Sequence, residues 1–552
     1  MGKIHLLDCT LRDGGYINDW KFGRHAIKDI CRKLERVGVE AIEIGFIKGD
    51  KFSPDRTVFP NVECISELLE PKSPGVIYVG MLDMSAPVPM ERIVPCDGTS
   101  VDAIRVIFKK NRIDEGFECC RQVKALGYKL FVQFVGTDNY SDAEFIATIE
   151  KFNALEPDVI YVVDSFGLMK KKQFMRLIQL ADNNLIAGAA LGYHSHNNLQ
   201  QALGNAEAFA EFHTARDKYI DATVFGMGRG AGNLNLELFA DWLNENFDAN
   251  YDVEPLIDIV SDHLDAIYEK HAWGYAMPLY LSAARDCHPN YPIYYTANHH
   301  LTLRELADLI VGIPSEDRRN YSAAKAERYY DQFMFGIRQA DACDDSAALE
   351  RLKRELADRT VLLLGPGSNI HRQRARVQAS IKNTKPIAIA VNYAPSDIAV
   401  DYIFLSNAKR YAQLRYDLPE NINADAKLIA TSNVKKGERD FDYVLDYDSL
   451  IDRTTEIVDN SLVMLLKAMI KIGVRKINLA GFDGYFERAD NHFDMSREYS
   501  FVKSKAEYLN RYVRDFLDTL DDSIEINFVT DSRYDTLISN AGGGEKKSAT
   551  AD

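Results

Sequence analysis

Eight short apolar runs punctuate the first 230 residues, at 4–7, 41–46, 76–82, 103–108, 129–135, 159–163, 187–193 and 219–225. Each is rich in Val, Ile, Phe or Tyr and stops at a polar or glycine-containing turn, the pattern of parallel strands buried on both faces. Amphipathic stretches at 25–37, 116–126, 143–155, 171–182 and 199–212 read as the helices between them. This alternation predicts a (β/α)8 barrel. A doubly wound open sheet is the fallback, but it would need a nucleotide fingerprint near its first turn, and none stands there.

The remaining chain is long enough for more than the barrel: 552 residues correspond to about three domains of ordinary size. Residues 234–352 read as helical, and a second α/β unit opens with a strand at 360–364. Further strands are expected at 387–391, 402–404, 427–430, 476–479 and 524–529, with helices at 459–472 and 502–521. The domains expected are a barrel over 1–285, a helical extension and linker over 286–352, a Rossmann-like three-layer α/β domain over 353–541 and a disordered tail over 542–552.

Composition narrows the function classes. Lys and Arg total 66 against 82 Asp and Glu, a formal charge of −16, so a polyanion-binding surface and a nucleic-acid partner are not expected. No run approaches the ~20 apolar residues of a membrane helix, and the mean hydropathy is −0.25. The start has no apolar core of signal-peptide length, and the eight cysteines contain no CxxC, so the expected home is a reducing cytoplasm. A homo-oligomer is the expected assembly.

Three polar segments stand at predicted strand ends: Asp8–Gly14 (DCTLRDG) after the first, Gly192–Asn198 (GYHSHNN) after the seventh and Gly226–Asn233 (GMGRGAGN) after the eighth. Catalytic groups of such a barrel gather at that face. His194 and His196 lie two apart, so on extended backbone both imidazoles point to one side. Strands seven, eight and one are neighbours in a barrel, which lets Asp13 and Asn233 approach the same point. One carboxylate, two imidazoles and an amide oxygen without a thiolate suit a divalent cation, Mn²⁺ or Mg²⁺ first, with Zn²⁺ and Co²⁺ compatible. Glu43, Arg105, Gln133, Asp164 and Ser165 also sit on or beside strands and are second-tier candidates.

Thr10–Gly14 (TLRDG), His194–Asn198, Asp164–Gly167 (DSFG) and Gly226–Asn233 together resemble the DRE-TIM metallolyase superfamily, over residues 1–340 or so. That group includes 4-hydroxy-2-oxovalerate aldolase, hydroxymethylglutaryl-CoA lyase and isopropylmalate synthase, and the glycine-rich segment leans toward the aldolases. The resemblance implies that Asp13, His194 and His196 ligate the metal, with Asn233 or water completing the shell. It also implies that Arg12 holds the enolate oxygen of a pyruvate-like 2-oxo acid, which would react with an aldehyde. Arginine stays ionised in a dry pocket where a lysine need not.

One departure stands out. The oxovalerate aldolases carry a His three residues after the Asp, their proposed base, where this chain has Tyr16. A phenol of ordinary pKa near 10 is a poor base at neutral pH. Tyr16 could orient water or the aldehyde instead, and His288 and Tyr291, in the turn Cys287–Tyr291 (CHPNY), are further candidates for the catalytic set. The alternatives are an acetyl-CoA-dependent condensing acyltransferase and a non-catalytic barrel that carries a nucleotide-binding module. The oxovalerate aldolases also pair with an aldehyde dehydrogenase, and whether this chain does is not written in it.

In the second half, Leu364 leads into Gly365, Pro366, Gly367 and Ser368, a strand followed by a turn whose backbone N–H groups favour phosphate. His371, Arg372, Arg374 and Arg376 follow. Asn392 and Asp483 stand at later strand ends and are expected to meet a nucleotide or phosphorylated ligand at the carboxyl edge of the sheet. This half resembles the Rossmann-like domains of archaeal pterin pyrophosphokinases and bacterial sialyltransferases. Its alternative role is inert docking or dimerisation.

Overall fold

The computed structural model describes residues 2–535 other than 50, 300, 342, 419–420, 435–440, 453–454, 456–457, 488, 490, 494–501 and 504. The expected tail at 542–552 lies outside the described residues. The chain divides into two compact units, Met1–Glu327 and Arg328–Asp552.

The first unit is a closed parallel barrel. Its strands are β1 (Ile4–Asp8), β2 (Ala41–Ile47), β3 (Ile77–Asp83), β4 (Ala103–Phe108), β5 (Lys129–Phe134), β6 (Val159–Asp164), β7 (Ala190–Ser195) and β8 (Lys218–Ala222). Each pairs in parallel with the next, β8 pairs with β1, and Leu7 opposite Ala41 closes the ring between β1 and β2. A two-residue strand, Val58–Phe59, adds to β2 and was not legible as an apolar run. Seven helices alternate with the strands. The fourth, α4 (Asp142–Asn153), begins on a capping box in which Ser141 and Glu144 satisfy each other's backbone N–H. The region after β8 is helical, as expected, from Leu236–Phe247 through Ala323–Asp341.

Alternation along the strands sorts the barrel interior into layers. Leu7, Ala41, Val79, Ala103, Phe131, Val159, Ala190 and Tyr219 form an apolar floor. Two residues further along, Glu43, Arg105, Tyr161 and Asp221 form a charged storey, each fully buried or nearly so. The floor supports that storey, and the storey supports the mouth.

Two predicted strand bounds were displaced. The run at 187–193 starts as a strand only at Ala190, because Gly188 turns the chain at φ +88°. His194 is therefore inside β7 rather than after it. The run at 219–225 ends at Ala222, because Val224 and Phe225 enter a turn in which Phe225 has φ +56°.

Among its described residues the second unit has seven parallel strands: β9 (Thr360–Leu364), β10 (Ile387–Val391), β11 (Tyr402–Leu405), β12 (Lys427–Thr431), β13 (Tyr443–Leu445), β14 (Lys476–Ala480) and β15 (Glu525–Phe528). Their order is β13-β12-β11-β10-β9-β14-β15, so the direction of winding reverses between β9 and β14. Val361 and Leu363 join one apolar cluster and Leu362 and Leu364 another, one on each face of the sheet. This is a Rossmann-like three-layer arrangement. β13 was not predicted, because three residues between aspartates carry too little apolar signal.

Candidate active site at the barrel mouth

The ends of β1, β7 and β8 converge. One ligand atom from each of Asp13, His194 and His196 lies within 4.8 Å of the other two. Asn233 joins them: its Nδ2 donates to Asp13 Oδ2 at 2.7 Å and to the Met227 carbonyl at 3.0 Å, and its Oδ1 is buried without a partner. The glycines of the β8 loop allow this approach. A Cβ on Gly232, at φ +77°, would lie 2.0 Å from the Gly226 carbonyl oxygen.

Each imidazole is oriented from behind. His194 Nδ1 lies 2.9 Å from Asp221 Oδ2, and His196 Nδ1 lies 3.3 Å from the Asp164 carbonyl. Both partners accept, so each neutral ring carries its proton on Nδ1 and presents an unprotonated Nε2. His196 Nε2 then faces Asp13 Oδ2 at 3.3 Å, lone pair toward carboxylate. That contact is repulsive unless a cation lies between the two or the ring takes up a proton.

The electrostatics agree with an ionised Asp13. Burial alone would push its carboxyl up, yet the Arg12 guanidinium holds it well below the usual carboxylate range. Burial lowers the pKa of His194 and outweighs its hydrogen bond to Asp221, so this ring is neutral at physiological pH. Arg12 donates from Nε to Glu43 Oε2 at 2.6 Å and from Nη1 to Asp13, while its Nη2 is buried without a partner.

Beneath these groups lies a network that the sequence motifs do not join. Arg105 Nη1 donates to Asp221 Oδ2 at 2.6 Å and also reaches Glu43 Oε2 at 3.3 Å. Its Nη2 donates to Asp221 Oδ1 at 3.1 Å and to the Tyr161 hydroxyl at 2.9 Å. Arg105 thus ties the acid behind His194 to the acid behind Arg12. Asp221 was missed altogether, and its signal was a carboxylate within an otherwise buried strand.

The other candidates take distinct places. Tyr16 packs edge-on to Trp20 and Phe46 with the Arg229 guanidinium 4.0 Å over its ring. Burial raises its phenol pKa, and Asp13 adds to the rise, so Tyr16 stays protonated. His288 packs at a tilt against Phe166, beyond the end of β6, and its Nδ1 accepts the Asn290 N–H at 3.1 Å. Burial, with Arg229 and Lys109 nearby, pushes His288 down to about 4, so at neutral pH it offers an Nε2–H, a donor. Tyr291 turns into the helical extension, its hydroxyl set against the carbonyls of Asp317 and Asn320. The Asp164 carboxylate caps the backbone of Leu168 and Met169, and Ser165 accepts from the Gly136 N–H, so both shape the β6 loop.

In the second unit, Gly365, Gly367, Ser368 and Asp483 meet in the crevice between β9 and β14. The turn is occupied, however. A Cβ on Gly367 would lie 2.6 Å from the Asp483 carboxyl carbon, and Asp483 Oδ2 accepts the Asn369 N–H at 2.8 Å. The Asp483 carboxylate holds the place a phosphate would take, and burial pushes its pKa up to about 6. Its Oδ1 is buried and unpartnered. Asn392 stands at the end of β10, where its amide joins Ser406 and Ser461.

Residues 3–262 match the HMGL-like family. The chain is similar to the 4-hydroxy-2-oxovalerate aldolase of Roseiflexus sp. (strain RS-1), 29% identical over 266 residues that cover 47% of this chain and 75% of that protein. The 4-hydroxy-2-oxovalerate aldolase of Thermus thermophilus is 27% identical over 270 residues, 46% of this chain and 72% of its own length. Among solved structures, the hydroxymethylglutaryl-CoA lyase of Pseudomonas aeruginosa aligns at 16% identity and a TM-score of 0.40, covering 49% of this chain and 95% of that one. With its mouth assembled from the three motif segments, the barrel is of the HMGL-like type over the residues that match, and the chain is a carbon–carbon lyase of the aldolase type.

Proposed function

We propose that the barrel is a divalent-metal-dependent aldolase that makes or breaks the bond between a pyruvate-like 2-oxo-acid enolate and an aldehyde. Asp13, His194, His196 and Asn233 would hold Mn²⁺ or Mg²⁺. The observation that carries this reading is the convergence of one ligand atom from each of Asp13, His194 and His196 within 4.8 Å of one another, beside an Asn233 that is bonded to Asp13 and keeps its Oδ1 buried and unpartnered. A metal held there would act as a Lewis acid toward the carbonyl of the 2-oxo acid.

The chain's own groups supply the rest. Cleavage beside a carbonyl leaves negative charge on the enolate oxygen. Arg12 has its Nη2 group free for that oxygen, with Nε held by Glu43 and Nη1 by Asp13, so it is oriented before the charge develops. Tyr16, kept protonated by burial, is fitted to donate a hydrogen bond to the aldehyde oxygen. The aldolases named above support pyruvate and an aldehyde as the small-molecule partners. In the second unit, the Asp483 carboxylate favours a ligand that donates hydrogen bonds, such as the sugar hydroxyls of a nucleotide, over a phosphate seated on the Gly365–Ser368 turn.

Exchange of the pyruvate methyl protons in D₂O tests the barrel reading without knowledge of the aldehyde. The exchange should require Mn²⁺ or Mg²⁺ and vanish in Arg12→Ala with metal content unchanged. Metal-independent exchange, or full exchange in Arg12→Ala, would refute it.

A further inference from the structure

Gln133 lies on β5, two residues beyond Phe131 of the apolar floor and on the same inward face. It sits opposite Ile107 of β4 and Tyr161 of β6. It is fully buried, and neither its Nε2 nor its Oε1 has a hydrogen-bond partner. Three strands separate β5 from β1 in either direction around the ring, so this amide stands on the side of the barrel opposite Arg12 and Asp13. The neighbouring Tyr161 hydroxyl is already engaged by Arg105.

A buried amide left with both a donor and an acceptor open is uncommon in a folded protein, and it implies a partner. The partner's chemistry follows from the pair. A carboxylate or phosphate only accepts and would leave Oε1 open, and an ammonium only donates and would leave Nε2 open. A hydroxyl does both. The 2-oxo-acid fragment offers a carboxylate and a ketone, neither of which donates, and the groups suited to it stand on β1, β7 and β8.

We infer that Gln133 reads a hydroxyl on the acceptor half of the substrate, so that the enzyme's aldehydes are hydroxyaldehydes rather than simple alkyl aldehydes. This rests on the aldolase reading above and adds the substrate class. Gln133 is a specificity-determining residue, outside the metal set and away from the enolate.

The test compares pyruvate release by the full chain with Mn²⁺ from two aldol substrates, 4-hydroxy-2-oxopentanoate and 4,5-dihydroxy-2-oxopentanoate. They differ by one hydroxyl on the acceptor half. A site built to bond a hydroxyl discriminates strongly against its absence, so the wild type should prefer the dihydroxy compound by about tenfold or more in kcat/KM. Gln133→Met, which keeps the volume, should bring that ratio to within about threefold by raising KM for the dihydroxy substrate alone. Gln133→Leu serves as the second variant should Met not fold. An unchanged ratio in a folded variant overturns the inference, as does a variant that is more heat-stable with unaltered kinetics, which would mark the amide as a buried-water site. Pyruvate methyl exchange keeps the two readings apart. Exchange that persists while the preference is unaffected by Gln133 sinks only this inference, whereas absent exchange in the wild type sinks the reading beneath it.

Discussion

Asp221→Asn changes one atom, and the structure says why that atom matters. Asp221 Oδ2 accepts from both His194 Nδ1 and Arg105 Nη1, and Oδ1 accepts from Arg105 Nη2. An asparagine has one acceptor for these three donors. If its oxygen faces His194, its NH₂ confronts Arg105 Nη2 at about the native 3.1 Å, donor against donor. If it flips, the NH₂ meets His194 Nδ1 and drives the ring proton to Nε2, the atom proposed to bind metal. The first outcome leaves a buried charged donor unsatisfied, at about 1–3 kcal/mol of stability. The second removes a ligand. Loss of such an orienting partner costs roughly 10–100-fold in metal affinity, or about 1.4–2.7 kcal/mol. Calorimetric titration of Mn²⁺ into wild type and Asp221→Asn, beside thermal melts of both without metal, reads the two outcomes separately. Mn²⁺ affinity within about threefold of wild type together with an unchanged melt would refute the role given to Asp221.

Other perturbations follow from the same geometry. Asp8 is fully buried, and burial outweighs the two hydrogen bonds from Thr10 to raise its pKa to about 7. Between about pH 4 and 7 the folded chain keeps a proton that the unfolded chain releases, so Asp8 makes the wild type less stable as pH rises through that window. Asp8→Asn should therefore gain stability relative to wild type from pH 4 to 7 and hold the gain above it, on the order of 2–4 kcal/mol by chemical denaturation; a difference independent of pH would count against the shift. Gly45 has φ +152°, and a Cβ there would lie 2.0 Å from the Thr57 carbonyl oxygen. Gly45→Ala should destabilise the barrel by about 2 kcal/mol or more, and an unaltered melting temperature would show that Thr57 can move aside. Arg105→Met strands two buried carboxylates and should cost about 3–5 kcal/mol, with much of the loss recovered when Asp221→Leu is added; additive losses would mean that the pair is not coupled.

How much of this was legible in the sequence depends on where each signal sits. The strands of the barrel show as apolar runs because both faces are buried, and the metal candidates show because polar residues cluster at the ends of those runs. Run boundaries were less legible. Val224 and Phe225 are apolar in a turn because they pack under the loop, and hydrophobicity alone cannot separate that from strand. The charged storey was legible only in part. Arg105 and Glu43 stand out in their runs, but their partnership with Asp221 joins strands 116 and 178 residues apart in sequence, and only closure of the ring brings them together. In the second unit the Gly365–Ser368 pattern pointed to phosphate, yet Gly367 is explained by the Asp483 carboxylate packed against it. The sequence shows that a turn is tight without showing what fills it.

The charge balance of the interior ties these pieces together. Arg12 and Arg105 bring two positive charges into a volume that also holds the carboxylates of Asp13, Glu43 and Asp221, all nearly or fully buried. Three carboxylates thus stand against two guanidiniums, and His194 is neutral. An uncompensated buried charge is expensive, and the usual relief is to neutralise by taking up a proton. Asp13 does not take that route, because the Arg12 guanidinium holds its pKa well below the ordinary range, and Arg105 with the His194 N–H lowers that of Asp221. A divalent cation would turn the excess into a single positive charge, and the carboxylate of a 2-oxo acid would bring the total to zero. On the aldolase reading proposed above, the network that fixes His194 and Arg12 would leave the mouth matched in charge to a metal and a monoanionic substrate together.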